Sequence, residues 1–190
     1  MLGLAAALLS YLLGSFPTAY VFGKHFRGID ISKNGSGNIG AMNAYDVTGS
    51  KAIGITVGSI DVAKGFAATV IPHIYLGSMA GLVSALFVVT GHNYSSFMKF
   101  KGGRGLASAA GALLVLQPLC LPVYLGVYYF LRTAGFKLYL SSVAGIISAS
   151  VPLFWGTHGS AASIFLSAAL MIVVLSKHIA PLKNEMVNVN

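Results

Sequence analysis

The sequence predicts an all-α, polytopic integral membrane protein with about seven transmembrane helices, one of them a half-length helix behind a glycine-rich loop. Three observations point there. Charged residues make up 8% of the 190-residue chain and hydrophobic ones 56%, against about a quarter charged in an ordinary soluble domain. Mean hydropathy is +0.79. The apolar residues form long uncharged runs along the whole chain, separated by short basic segments, so one membrane domain over residues 1–190 is expected and a separate soluble domain is not.

A span needs about 20 apolar residues at 1.5 Å rise each. Residues 1–23 carry no charge, and Lys24 and Arg27 follow that run instead of preceding it. This predicts a first span with its N-terminus outside and not a cleaved signal peptide. Residues 24–51 are the longest polar stretch, rich in Gly, Ser and Asn; a loop of that length in so small a protein usually carries function. Between residues 52 and 98 only Asp61 and Lys64 are charged, which predicts two spans turning near 72–77. Asp61 and Lys64, three apart, share a helix face and can pair. The uncharged run 106–131 holds Gln117, Pro118 and Pro122 at its middle, and the run 138–176 has a natural break at Gly156, Thr157, His158, Gly159 and Ser160.

Whether residues 104–131 cross once or as a hairpin decides the side of the C-terminus, and the basic residues arbitrate. With a hairpin turning at Gln117 and Pro118, every Lys and Arg except Lys64 falls in a cytoplasmic loop or at its edge, as basic loops should. The expected topology is therefore seven helices in the cell membrane, N-terminus outside and C-terminus cytoplasmic. The helix over 104–116 is then only about 20 Å long at 1.5 Å per residue, short of the membrane core. The loop before it must dip into the membrane. Non-helical backbone is tolerated at that depth only where it is buried in protein or lines a watery cavity, so this loop is a candidate site.

That loop reads Lys99-Phe100-Lys101-Gly102-Gly103-Arg104-Gly105. Consecutive glycines let backbone N–H groups turn toward an anion, the following helix adds its positive N-terminal end, and Arg104 offers a bidentate fork to phosphate. The alternative is a basic loop whose glycines merely allow close helix packing. It lacks the P-loop spacing and any adjacent Ser or Thr for magnesium, which argues against a nucleotide. A second segment, Gly35-Ser36-Gly37-Asn38-Ile39-Gly40-Ala41-Met42-Asn43, presents a hydroxyl and two carboxamides at close range, or is a flexible polar turn. His92 and His178 are expected on the same cytoplasmic face as Ser36 and Arg104; His158 is not.

Other classes are excluded by composition. The four acidic residues, Asp30, Asp46, Asp61 and Glu185, are too scattered for a two-metal carboxylate site, and Cys120 alone allows neither an internal disulfide nor a cysteine zinc site. The net charge of +8 reads as a topology signal and not as a nucleic-acid footprint. His25 and Asp30 match the H-x4-D spacing of a large acyltransferase family, but the downstream Glu-Gly element of that family is absent.

Taken together, RGIDISKNGSGNIGAMN, IDVAKGF and GHNYSSFMKFKGGRGLA, in that order behind a first helix, resemble the bacterial acyl-phosphate-dependent glycerol-3-phosphate acyltransferases of the PlsY family over essentially the whole chain. The resemblance implies transfer of a fatty acyl group from acyl phosphate to the 1-hydroxyl of glycerol 3-phosphate, giving lysophosphatidic acid and phosphate. It implies a lipid-embedded enzyme with no acyl-CoA, no acyl carrier protein as direct donor and no metal; no cofactor and no obligate protein partner is expected. Carried over by position, Ser36 matches the essential serine, Asn38 and Asn43 the asparagines of the first motif, and Gly102, Gly103 and Gly105 the glycerol-3-phosphate loop. Arg104 stands where the family usually has lysine, beside Lys101; His178 matches the histidine of the third motif, and His92 joins the substrate-binding set. Ser36 and His178 are the candidate catalytic residues.

Two positions depart from the family pattern. Asp46 stands where the first motif has arginine, and a carboxylate aimed at two phosphates would repel them, so Asp46 is expected to be paired with Lys33 or Lys51. His178 is followed by Ile179, Ala180 and Pro181 where a close asparagine belongs, with Asn184 and Glu185 further on. A small anion transporter, or a catalytically inactive relative, is the rival reading of a cationic half-helix in a membrane.

Overall fold

The structure, a computed structural model, describes residues 1–156 and 160–187. Ten α-helices and no strand occur among them: α1 (Leu2–Ser15), α2 (Thr18–Arg27), α3 (Ala41–Thr48), α4 (Lys51–Leu76), α5 (Ser78–Asn93), α6 (Leu106–Leu116), α7 (Cys120–Thr133), α8 (Leu138–Gly156), α9 (Ala161–Ser176) and α10 (Ile179–Val187). Three apolar stretches are long enough to cross a membrane unaided: 2–27, formed by α1 and α2, then α4, and α8. A fourth arises if α9 and α10, bent by 46°, count together. The remaining apolar helices are shorter.

The first span is broken at Phe16 and Pro17, because proline has no N–H to continue the ladder. The carbonyls freed at that break are taken by a side chain from another helix. Lys64 Nζ of α4 donates to Phe16 O at 3.0 Å and Gly14 O at 3.3 Å and pairs with Asp61 at 2.8 Å. The i,i+3 pair therefore forms, and it also mends α1. Thr18 donates to the same Asp61 oxygen at 3.0 Å. The turn between α4 and α5 lies at Gly77, φ +89°, while Pro72 sits inside α4.

Residues without side chains set the helix contacts. A Cβ on Gly65 of α4 would meet Ser108 O of α6, and one on Gly111 of α6 would meet Val62 O of α4, so these two backbones touch directly. Gly14 and Gly91 do the same for α1 and α5, against Val88 O and Tyr11 O. The hairpin at Gln117 and Pro118 is present, with α6 ending at Leu116 and α7 starting at Cys120. Helix α6 has 11 residues, about 16 Å at 1.5 Å each. Its start is two residues later than expected because Gly105 adopts φ +78°. Ser160 and Ser163 form a capping box on α9; Thr157, His158 and Gly159 lie outside the described residues.

Candidate active site

The polar segment after α2 is ordered by its own side chains. Asp30 caps a single 3-10 turn (Ile31–Lys33) by accepting from Ser32 N at 3.1 Å, and from Ser32 Oγ at 2.6 Å. That hydroxyl, helped by Lys33, holds the Asp30 carboxyl below the usual carboxylate range against the opposing effect of desolvation. Asn43 of α3 is 2% exposed. Its amide donates to Asn38 O at 2.9 Å, Asn34 O at 3.1 Å and Ile31 O at 3.2 Å, and its Oδ1 accepts from Ser36 N at 2.9 Å. Both polar atoms of the Asn43 side chain thus have partners in its own chain, and the residue builds the loop that presents Ser36 and Asn38. Asn38 N donates to Ser36 Oγ at 3.4 Å.

The glycine loop is braced from behind. Gly103 N donates to His92 O at 2.9 Å, so this N–H does not turn toward an anion as expected; the carbonyl at the end of α5 has claimed it. What Gly102 and Gly103 supply is close approach. A Cβ on Gly102 would meet His92 O and lie 2.6 Å from the Asn93 carbonyl carbon; one on Gly103 would run into the His92 ring. The free donors are instead in the first turn of α6, where Leu106 and Ala107 have no intrahelical partner for their N–H groups. Both line the cavity described next.

That cavity, about 540 Å³, is lined from the first loop by Asn38, from α3 by Met42 and Asp46, from the glycine loop and α6 by Arg104, Gly105 and Leu106, and by Asp61, His92, Tyr124, Tyr128, Tyr139, Ser142 and His178. His178, 1% exposed, has Nδ1 2.9 Å from Val174 O. A carbonyl only accepts, so Nδ1 carries the hydrogen and Nε2 is left for the cavity's chemistry. His92 Nδ1 lies 3.8 Å from Asp61 Oδ1. Arg104 Cζ sits 4.7 Å from the centroid of the Tyr139 ring.

The structure therefore gathers Asn38, His92, Arg104, Gly105 and His178. Ser36, Gly102, Gly103 and Lys101 stand outside the cavity lining, and Ser36 and Lys101 are exposed. Asp46 is not paired as expected. It is an exposed carboxylate on the cavity wall with no ion pair among the described residues; Lys33 lies against Asp30 instead, at 3.8 Å. A second, almost wholly apolar cavity of about 210 Å³ adjoins the first, sharing Leu106, Tyr124 and Leu125, and runs between α6, α7, α8 and α9 to Leu113, Cys120, Ala149 and Leu170. Cys120 is fully buried there. Among the described residues no group of three or more His, Cys, Asp or Glu could hold a metal ion.

The family model described as glycerol-3-phosphate acyltransferase matches residues 4–187. The chain belongs to the glycerol-3-phosphate acyltransferase family. It is 35% identical to the glycerol-3-phosphate acyltransferase of Bacillus subtilis over 93% of this chain and 90% of that one. It is 39% identical to glycerol-3-phosphate acyltransferase 2 of Moorella thermoacetica over 80% and 76%. Among solved structures it resembles the integral membrane acyltransferase PlsY (YgiH) in its glycerol 3-phosphate form, with TM-score 0.87, 26% identity, and 98% and 93% of the two chains covered. The lysophosphatidic acid form of that enzyme gives TM-score 0.86. Like them, this acyltransferase is an integral membrane protein.

Sequence reasoning missed the tyrosines of this acyltransferase's cavity. Tyr124 and Tyr128, one helical turn apart on α7, were a usable signal in an otherwise apolar run. It also missed Glu185 as a support: its carboxylate accepts from Tyr139 N at 2.9 Å and Leu140 N at 3.1 Å, capping the start of α8. No sequence spacing announces that bond.

Proposed function

We propose that this acyltransferase moves a fatty acyl group from acyl phosphate to the 1-hydroxyl of glycerol 3-phosphate, releasing phosphate and 1-acyl-glycerol 3-phosphate. The observation that carries the reading is the junction of the two cavities. A chamber that presents a helix N-terminus, Arg104 and His178 shares Leu106, Tyr124 and Leu125 with an almost wholly apolar one. A headgroup and an acyl chain need such a pair.

The acceptor phosphate would lie against the α6 N-terminus and the Arg104 fork, and the donor chain between α6, α7, α8 and α9. Acyl phosphate is already a mixed anhydride, so orientation and charge stabilisation are the main demands on the protein. The acceptor oxygen attacks the carbonyl carbon, the bond to the phosphate oxygen breaks, and the hydroxyl proton passes to His178 Nε2 or to the departing phosphate. Ser36 and Asn38, at the mouth of the first loop, would hydrogen-bond the donor phosphate. We place the site at the cytoplasmic face of the cell membrane, with seven helical passages, the N-terminus outside and the C-terminus inside, as the basic residues require.

The test is acyl transfer by the purified protein in detergent, where transport cannot occur, with acyl-CoA run in parallel. Lysophosphatidic acid formed from acyl phosphate and not from acyl-CoA is the expected result. Product from acyl-CoA at an equal rate would overturn the assignment of the donor.

A further inference from the structure

We infer that Tyr139 is a positioning residue for the acceptor phosphate, acting by holding the Arg104 guanidinium at the cavity wall through a cation–π contact. The inference rests on the proposed reading of that cavity.

Arg104 is half-buried on the cavity wall and has no carboxylate within ion-pair distance among the described residues; the acidic pairs there are those of Asp30 and Asp61. Its contact is the Tyr139 ring, 4.7 Å from Cζ to centroid, inside the range of about 6 Å over which a ring quadrupole attracts a cation. The ring attracts the cation as a whole and, unlike a carboxylate, has no oxygen pair to engage the fork, so the contact restrains the group and leaves N–H donors for a phosphate. A carboxylate partner would have done the opposite, engaging the fork and repelling the ligand. An arginine left loose would have to give up its rotamer freedom on binding, and the ring contact removes part of that freedom beforehand.

The backbone that carries the ring is held firmly. Tyr139 is the second residue of α8, and its backbone N–H reaches both Glu185 oxygens, at 2.9 and 3.2 Å. The next N–H, of Leu140, reaches one of them at 3.1 Å, and Lys137 Nζ donates to Glu185 O at 2.6 Å. The C-terminal helix α10 thereby fixes the start of α8, α8 fixes the ring, and the ring fixes the fork. Tyr139 lines the same cavity as Arg104, so the restraint acts where the ligand would sit.

The experiment measures initial rates for the full chain in detergent, titrating glycerol 3-phosphate at saturating acyl phosphate and the reverse. Tyr139→Phe and Tyr139→Trp keep a ring face and should leave the acceptor KM within about twofold. Tyr139→Leu and Tyr139→Met remove it and should raise the acceptor KM about tenfold, with kcat and the acyl phosphate KM little changed. In an Arg104→Ala background the Leu and Met substitutions should add nothing, because the group they act through has gone. Having two truncations keeps the test alive if one fails to fold, which a thermal melt in detergent reports. Equal loss in Phe and Leu variants, equal loss with Arg104 absent, or a parallel rise in both KM values would overturn the inference while leaving the proposed function standing. A wild-type protein that fails to acylate glycerol 3-phosphate would overturn both.

Discussion

Replacing Gly102 with alanine isolates what the glycine loop does. The added Cβ would lie 2.6 Å from the Asn93 carbonyl carbon and 2.7 Å from its oxygen, with His92 O closer still. All three are backbone atoms at the end of α5, so no side-chain rotation relieves them. Reaching the 3.4 Å at which ordinary contact begins requires a shift of at least 0.8 Å (3.4 − 2.6). A misplacement of about 1 Å costs about 10²-fold in rate when the displaced group orients a reactant, and Arg104 is two residues on. Gly103→Ala meets the His92 ring first, 2.8 Å to Cδ2, a side chain and not backbone, so its loss should be nearer tenfold. Gly126, on α7, has nothing within 4 Å, which makes Gly126→Ala the control. The assay is kcat/KM for glycerol 3-phosphate beside a thermal melt in detergent: Gly102→Ala should lose about 10²-fold, with overpacking costing about 1–3 kcal/mol in stability. A Gly102→Ala protein with wild-type acceptor kinetics would refute the view that this loop is held in place by contact with α5.

Asp46 stands unpaired on the cavity wall, so Asp46→Asn removes a repulsion and should lower the KM for glycerol 3-phosphate by about threefold; a rise, measured by acceptor titration, would show that the carboxylate binds the acceptor. Ala149, beside Cys120 and Leu113 in the apolar cavity, should help set chain length. In Ala149→Phe, kcat/KM for a hexadecanoyl donor should fall more than about tenfold while an octanoyl donor is spared, the equivalent of about two methylenes at about 0.8 kcal/mol each. Equal loss for both donors would contradict this. For topology, cysteines placed at the exposed positions Lys99 and Lys183 in a Cys120→Ala background should react with an impermeant maleimide in inverted vesicles and not in intact cells. Labelling of position 183 from outside would invalidate the orientation.

The helical skeleton was readable because its signals are local. The charge-free runs, the Gln117 and Pro118 hairpin and the half-length α6 all follow from composition and breakers. The Asp61–Lys64 pair was visible from i,i+3 spacing, whereas its service to the carbonyls of α1 was not, because Lys64 reaches 48 residues back to Phe16. Gly103 shows the same limit. The residue type was right for close approach, but where its N–H goes depends on the His92 carbonyl packed behind it, and Asn43 turned inward for a similar reason. Asp46 was expected to find a lysine because charges in a cavity need partners, yet Asp30 lies three residues from Lys33 and takes it. Tyr139 and Glu185 come together only through the docking of α10 on α8.

The central claim is that one cavity holds the acceptor phosphate at Arg104 while the donor chain lies in the adjoining apolar chamber. Its most direct test compares the wild-type chain with Arg104→Ala in detergent, following lysophosphatidic acid as each substrate is varied. The account predicts that kcat/KM for glycerol 3-phosphate falls about 10²-fold or more, as expected when a charge-assisted pair worth about 3 kcal/mol is lost, with the KM for acyl phosphate within about threefold. Unchanged acceptor kinetics in a folded Arg104→Ala protein, or a loss falling on the donor instead, would contradict it.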